Sequence, residues 1–410
     1  MIRLLFKLMD DTTSNFIVLE LHDDGGQTCQ VRTPLRIAKE MWDPLQQRPR
    51  NIYLKNCKRL NERLDRLRIA VTDYLDTIYW KFDRISLRTL GNRVRKNAAT
   101  RTVEYPKESV LWHMNNYITS RSHLICSSTR KRYFVFFNLF QRFEGYSMRH
   151  LMISDVNAAF VKKFLEFGKQ EAYSSSTMHR SVNFVKTVLN YLEKRGIRTF
   201  VYELELPKES RNKTFITLTE DELVKIKRMY VSPSLQAARD WLVISCYTGQ
   251  RVSDFMTFNS GMLQHVAGQE CIGFIQKKTQ RNVLLPLHPA VQVIKSHNEE
   301  NFPAKLSTKK YNEQIKEVVR LAGIDSLVSI GKRTGYRVVT QQIPKWQAVT
   351  SHIGRRSFAS NFYSKIPTSL LMEATGHSSE QMFHRYINHI DTERIRSLRL
   401  YFEQAYKSKF

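Results

Sequence analysis

The stretch YTGQRVSDF, residues 247–255, places one arginine, Arg251, just past a Thr-Gly turn and between two apolar segments. A permanent charge there must either be paired or be kept for something outside the chain, because a guanidinium taken from water without a partner is strongly disfavoured. Asp254, one helical turn on, is the obvious partner. On this stretch alone a structural ion pair is the simpler reading, and the decision falls to the rest of the chain.

The chain has 410 residues, and domains of roughly 100–200 residues make two or three of them. Lys and Arg number 65 against 38 Asp and Glu, a net charge of +27. An excess of that size points to a polyanionic partner, nucleic acid ahead of an anionic membrane surface. No apolar run approaches the ~18 residues of a membrane span. The opening MIRLLFKLMDD meets two aspartates after too short an apolar core for a signal peptide, so a cytoplasmic protein that stays inside the cell is expected. The five cysteines, Cys29, Cys57, Cys126, Cys246 and Cys271, show no CxxC or CxxxxH pairing and read as reduced and mostly buried, neither disulfides nor a zinc site.

Working outward, the chain divides into three parts. In residues 1–104, FIVLEL and TCQVRT are strand-like runs joined by the turn-rich HDDGGQ, a hairpin. Leu60, Leu64, Leu67, Val71, Leu75 and Ile78 then form the stripe of a long amphipathic helix. From Arg84 to Val103 there is no acid, but there are Arg84, Arg88, Arg93, Arg95, Lys96 and Arg101, which read as a basic linker lying on phosphates. Residues 105–212 read as all helix. In STRKRYFVFFNLFQRF, the basic Arg130, Lys131 and Arg132 precede Tyr133, Phe136, Phe137 and Phe140, aromatics at helical spacing that are expected to pack in a core while the charges face a ligand. SSSTMHRSVNFVKTVLNYLEKRG repeats the design, with Gly196 closing the helix.

The third part, 213–410, opens on a capping box, Thr219 with Glu222, ahead of a helix carrying Leu223, Ile226 and Tyr230. A second helix leads into Arg251. CIGFIQKKTQRNVLLPL is a strand, a tight polar turn and a returning strand, with Lys277 and Lys278 at its lip. Helices follow through YNEQIKEVVRLAGI. In TSHIGRRSFASNFY, His352 and Arg355 are three apart and so share one helical face. LLMEATGHSSEQMFHRYI ends one helix at Gly376, restarts another after Ser378, and carries His377 and Tyr386. The expected fold is multidomain and mainly α: a small α+β N-terminal part, an all-helical middle, and a mixed α/β but mostly helical third part with a small antiparallel sheet.

Each of these residues has an ordinary reading: Lys278 as a solvated turn charge, His352 and His377 as capped or packed histidines, Tyr386 as one of 18 tyrosines. The ordered set changes that. Arg251, Lys278, HxxR at His352 and Arg355, the pair Gly376-His377, and Tyr386 nine residues after that histidine together resemble the tyrosine recombinase (lambda integrase) family from about residue 213 onward. The helical middle resembles that family's core-binding, SAM-like domain by position and pattern. The first part, with VRTPLRIAKEMWDPLQQ before its long helix, looks like the arm-binding domain of integrases from conjugative transposons of the Bacteroides type. Gly354 stands where the family often has Ala, and is expected to loosen the helix bearing Arg355; Phe383 stands where others carry Thr.

The resemblance implies an integrase that integrates or excises a mobile element through a 3′-phosphotyrosyl intermediate, with no cofactor. In that reading Arg251 and Arg355 clamp the phosphate bidentately, with Asp254 fixing the Arg251 fork. Tyr386 is the nucleophile, His352 its base, Lys278 the acid for the leaving 5′ oxygen, and His377 a hydrogen-bond donor to the phosphate. No interleaved carboxylate set for a two-metal nuclease is seen, and no metal is expected. The implied partners are double-stranded DNA at core and arm sites, further copies in a tetramer docked through RIRSLRLYFEQAYKSKF, and an excisionase or host DNA-bending protein. Arg84, Arg88, Arg93, Arg95, Lys96, Arg130, Lys131 and Arg132 are the candidate DNA-backbone contacts. A resolvase or DNA invertase, or a topoisomerase of type IB, uses a similar set, and a complete arm domain favours integration over these. A catalytically idle DNA-binding regulator on the same scaffold is the alternative outside the enzymes, and the intact site set argues against it.

Overall fold

The structure is a computed structural model and describes residues 2–9, 15–51, 54–99, 105–207, 215–334, 337–363, 365–387, 399–400 and 403. Most of RIRSLRLYFEQAYKSKF, and Arg101, lie outside them. The chain forms two compact units, Met1–Ser210 with Lys332–Val339, and Arg211–Gly331 with Thr340–Phe410.

The first unit begins with an antiparallel sheet of β1 (Arg3–Leu8), β2 (Phe16–His22) and β3 (Thr28–Arg36), in the order β1-β2-β3. The expected hairpin is β2–β3, closing with His22 opposite Thr28. Strand β1 has no counterpart in the sequence expectations, where the same apolar run bears only on a leader. A ribbon of β4 (Trp42–Asp43) and β5 (Arg48–Pro49) leads to α1 (Lys55–Thr77), the helix of the leucine stripe. Its Leu64, Leu67, Val71 and Leu75 share a buried cluster with Phe6, Ile17, Leu19 and Leu21 of the sheet.

The basic stretch after Arg84 is not a linker. Leu87–Ala99 is a helix, α2, whose Leu90, Val94 and Ala98 are buried in that same cluster. These residues recur every fourth position, a stripe that a reading for charge passes over.

The helical middle consists of α3 (Val110–Ser120), α4 (Ser127–Ser147), α5 (Ala158–Gln170) and α6 (Ser175–Glu193). Side chains of Ser109, Asn157 and Ser174 cap α3, α5 and α6. The aromatics of α4 are packing residues, as expected: Tyr133 stacks on Phe184 at 4.1 Å and Phe140 on Phe164 at 4.7 Å between centroids. Gly196, at φ 83°, closes α6. Helices α1 and α4 meet at Asp65, 4% exposed, which accepts from Arg48 (2.5 Å) and Arg142 (2.9 Å). Gly145 on α4 leaves room for that carboxylate, since a Cβ there would collide with Asp65.

In the second unit the Thr219–Glu222 capping box opens α7 (Glu220–Arg228), which buries Leu223 and Ile226. Tyr230 falls beyond its end and is 90% exposed, so it does not belong to the stripe. The buried helix α8 (Pro233–Thr248) is followed by α9 (Val252–Phe255). Strands β6 (Leu263–Val266), β7 (Gln269–Ile275) and β8 (Asn282–Pro286) form an antiparallel sheet that contains the expected hairpin. Helices α10 (Pro289–His297) and α11 (Thr308–Leu321) precede β9 (Leu327–Thr334) and β10 (Arg337–Pro344), a pair with no counterpart in the sequence reading. The chain continues through α12 (Lys345–Ala348), α13 (Ile353–Phe362), α14 (Thr368–Thr375) and α15 (Glu380–His384). Ser379, not Ser378, caps α15. Gly249 and Gly376, both at φ 67°, end α8 and α14 in the left-handed conformation.

Among the described residues no helix is long and apolar enough to cross a membrane. All five cysteines are free; Cys57, Cys246 and Cys271 are buried, whereas Cys126 is exposed. Hydrogen bonds from Ser128 and Thr129 lower its thiol pKa to about 7.

Candidate active site

Turns and helix starts deliver the six residues of the ordered set to one place in the second unit. Arg251 follows the Gly249 stop of α8, Lys278 lies in the exposed turn between β7 and β8, and His352 is the N-cap of α13, which carries Arg355. His377 follows the Gly376 stop of α14, and Tyr386 lies just past the C-cap of α15 rather than within it.

Arg355 is fully buried, and neutral groups hold it: Nη1 donates to the Gly249 carbonyl (2.9 Å), and Nη2 to the Thr375 carbonyl (2.7 Å) and His377 Nε2 (3.0 Å). Its Nε has no partner among the described residues. Burial and the neighbouring Arg251 charge push its pKa down to about 10, against the opposing pull of Tyr386. The helix bearing it is tight rather than loose. A Cβ on Gly354 would stand 2.5 Å from Ser245 Cβ and 2.8 Å from the Ser245 backbone carbon, so glycine is what lets α13 lie on α8.

Asp254 does not fix the Arg251 fork. Arg251 Nη1 donates instead to Gln276 Oε1 (3.1 Å), while Asp254 Oδ1 accepts from the Lys277 backbone N–H (3.1 Å) and Asp254 Oδ2 is buried without a partner. The carboxylate therefore sets the backbone of the lysine turn. Among the described residues neither Arg251 nor Arg355 pairs with a carboxylate, although the Asp254 charge is felt by Arg355. The two guanidinium groups thus lie near enough for the Arg251 charge to act on Arg355, and among the described residues neither is ion-paired.

His377 is 4% exposed, and its tautomer follows from Thr375. The single hydroxyl proton of Thr375 goes to the Leu371 carbonyl (2.5 Å), so Thr375 Oγ1 accepts from His377 Nδ1–H (2.8 Å) and Nε2 is left bare to accept from Arg355. Burial, then Arg355 and Arg251, lower the His377 pKa to about 3. In this arrangement His377 holds Arg355 and offers no N–H to a ligand, contrary to the donor role expected of it. His352 keeps part of its ring exposed, yet the packing beneath it and the cations Arg356, Arg355, Arg251 and Lys278 hold its imidazole below the ordinary range. The surrounding positive charge thus favours the neutral form of this imidazole.

The Tyr386 ring lies 4.9 Å from the His377 ring and 5.4 Å from Arg355 Cζ, measured to its centroid. Tyr363 packs instead on Phe383 and His384, and Tyr401 is outside the described residues. Gln250, Gln276 and Thr375 were missed. The two glutamines stand beside the motif residues, but polar neighbours of a motif carry no signal until the fold joins them.

Arg84, Arg88, Arg95, Lys96, Arg130, Lys131 and Arg132 are exposed in the first unit, and Arg93 is half-buried with its Cζ 5.5 Å from the centre of the Tyr74 ring. The outer face of the N-terminal sheet adds exposed Arg3, Lys7, Arg32 and Arg36, the last two lying over Phe16 at 3.5 and 3.9 Å. Among the described residues no group of three or more His, Cys, Asp or Glu is placed to hold a metal ion.

A mostly helical fold with small antiparallel sheets, a helical middle domain, and two arginines gathered with a histidine and a tyrosine define a tyrosine recombinase. Residues 217–393 match the phage integrase family and residues 109–200 the phage integrase SAM-like domain. Residues 217–393 thus carry a phage integrase family domain, and the chain is a site-specific tyrosine recombinase.

Solved structures of similar fold include a lambda integrase(75-356) dimer bound to a COC' core site (TM-score 0.50, 17% identity, 67% of this chain and 94% of that one). The Tn1549 transposon integrase in complex with transposon right end DNA is another (TM-score 0.51, 13% identity, 72% and 99%). A third is the XerH site-specific recombinase bound to palindromic difH in a post-cleavage complex (TM-score 0.51, 16% identity, 73% and 98%). At these identities the likeness is one of fold. No curated protein matches the sequence.

Proposed function

We propose that the protein is the integrase of a mobile element, cleaving and rejoining DNA at core sites with Tyr386 as nucleophile. The observation that carries this reading is the pair of arginines, Arg251 and Arg355, oriented by neutral acceptors and lacking any anionic partner among the described residues. A phosphodiester gains negative charge on its non-bridging oxygens as it is attacked, and two fixed guanidinium groups meet that charge without reorganising.

The chemistry then runs as follows. The Tyr386 phenol, whose ordinary pKa of about 10 leaves it protonated near neutrality, gives its proton to neutral His352 as its oxygen bonds to phosphorus. The bond to the 5′ oxygen breaks, and Lys278 supplies the proton that the leaving oxygen needs. The 3′-phosphotyrosyl bond keeps the energy of the broken linkage, so a 5′-hydroxyl of another strand reverses the steps without a cofactor. His377 keeps Arg355 aligned. The exposed cations of α2, the first turn of α4 and the N-terminal sheet support DNA contact along the backbone, with residues 1–104 on arm sites and 105–212 on core sites. The strand exchange is assembled as a tetramer on two duplexes, with an excisionase or host bending protein as accessory.

The test is to trap the enzyme on a nicked duplex made from the DNA flanking its coding region, digest it, and map the nucleotide-bearing peptide by mass. The peptide contains Tyr386, the DNA is joined through its 3′ end, and magnesium chelation leaves the adduct in place. An adduct formed at the normal rate by Tyr386→Phe, or one mapped to another tyrosine, sinks the assignment.

A further inference from the structure

Gln276, fully buried beside the turn that carries Lys278, has its amide saturated. Nε2 donates to Gln250 Oε1 (3.0 Å) and to the Thr375 carbonyl (3.1 Å), and Oε1 accepts from Arg251 Nη1 (3.1 Å) and the Thr279 hydroxyl (2.6 Å). A side-chain amide has two donors and two acceptor positions, so no rotational choice is left. Gln250, also fully buried, commits its own Nε2 to the carbonyls of Thr248 (2.8 Å) and Ala374 (2.7 Å). Gly376 closes over the pair: a Cβ there would stand 2.7 Å from Gln276 Nε2.

We infer that Gln276, held by Gln250, is a positioning residue for strand cleavage: it aims the Arg251 guanidinium at the scissile phosphate and, through Thr279, ties that aim to the turn bearing Lys278. The inference rests on the recombinase reading of the site. An amide suits this task where a carboxylate does not. Glutamate here would pair with Arg251 and cancel the charge the phosphate must meet, whereas an amide oxygen orients the guanidinium and leaves its charge intact. The Thr375 carbonyl accepts from both Gln276 and Arg355, so the two arginines share one reference atom.

The experiment compares single-turnover cleavage of a nicked flanking-DNA duplex with that of the same duplex carrying a methylphosphonate at the scissile position, where one charged oxygen is replaced by methyl. Gln276→Leu lowers cleavage of the ordinary duplex on the order of 100-fold, the scale of a misplaced catalytic group, with DNA affinity unchanged. On the methylphosphonate the loss is at most a few-fold, because the charge that Arg251 meets is gone. Gln250→Met, which removes one of the four bonds to Gln276, falls between, and it carries the comparison if Gln276→Leu melts early. Equal losses on both duplexes, or full activity of Gln276→Leu, overturn the inference.

Phenylglyoxal labelling of the DNA-free protein decides it without turnover. Arg251 reacts several-fold faster in Gln276→Leu while Arg239 of α8, paired with Asp240 at 2.9 Å, is unchanged; unaltered Arg251 labelling rejects the positioning role. A wild type that cleaves neither duplex counts against the recombinase reading instead, and the labelling result still stands.

Discussion

Gly354 and Ser245 are packed so closely that no side chain fits between α13 and α8. Gly354→Ala therefore forces α13 away from α8 and takes Arg355 with it, at a cost of about 1–3 kcal/mol for overpacking a tight core. A lowered denaturation midpoint together with slower strand cleavage checks this. Ser245→Ala in the same chain does not restore stability, because the added Cβ still meets the Ser245 Cβ and backbone carbon, at 2.5 and 2.8 Å. A Gly354→Ala protein as stable as wild type removes close packing as the reason for glycine.

Lys278→Ala should cut cleavage of ordinary DNA by about 100-fold or more, the usual weight of a general acid. On DNA whose bridging 5′ oxygen is sulfur the loss should be far smaller, since a thiolate leaves without a proton. Equal losses on the two substrates, measured as single-turnover rates, transfer the role from Lys278 to its neighbour Lys277.

The buried His377 gives a pH dependence with a defined sign. Its folded pKa, about 3, lies below the ordinary imidazole value of about 6.5, so the unfolded chain takes up this proton first as pH falls. The stability due to the neutral ring is complete above about 6.5 and is lost toward 3, at no more than ~1.4 kcal/mol per pH unit. Denaturant titrations of wild type and His377→Gln between pH 7 and 4 should converge as the pH drops. A constant difference between them contradicts the buried neutral imidazole.

In the first unit, Asp65→Asn takes the carboxylate from buried Arg48 and from half-buried Arg142, which keeps a longer contact to Glu171 (3.4 Å). Breaking a buried pair in this way costs about 3–5 kcal/mol, and equilibrium unfolding should show it. A truncation that starts after residue 104 removes Asp65 from α4 as well, so the shortened protein should unfold earlier than a detachable N-terminal domain allows. Unchanged stability of Asp65→Asn means that α1 and α4 are held by their apolar contacts alone, and unchanged stability of the truncation means that α1 adds nothing to the stability of the helical middle.

Features written in neighbouring residues were legible before the fold was seen. The Thr219–Glu222 box, the β7–β8 hairpin, the α1 stripe and the glycine stops at 249 and 376 all depend on residues within a few positions of one another. Helix α2 was hidden because its apolar residues are sparse among charges, and β1 because a short apolar run reads equally as a leader. The Asp254 assignment failed for a different reason. Proximity in sequence made it the partner of Arg251, but the guanidinium turns to Gln276, 25 residues away, and the carboxylate to a backbone N–H. The tautomer of His377 likewise depends on Thr375 and Arg355 together, which no spacing rule reports.

Arg251 and Arg355, without an ion-pair partner among the described residues, also bear on how the protein is handled at the bench. A purification or storage buffer is usually chosen for its pH, yet in the proposed reading of the site its anion is a ligand. Phosphate and sulfate carry the charge and tetrahedral shape that the clamp accepts, and a ligand that binds only the folded state raises stability in proportion to its occupancy. At equal ionic strength the protein is expected to melt higher in phosphate than in chloride. It is also expected to cleave DNA more slowly there, so that the solution most favourable for keeping the enzyme is the one least suited to assaying it.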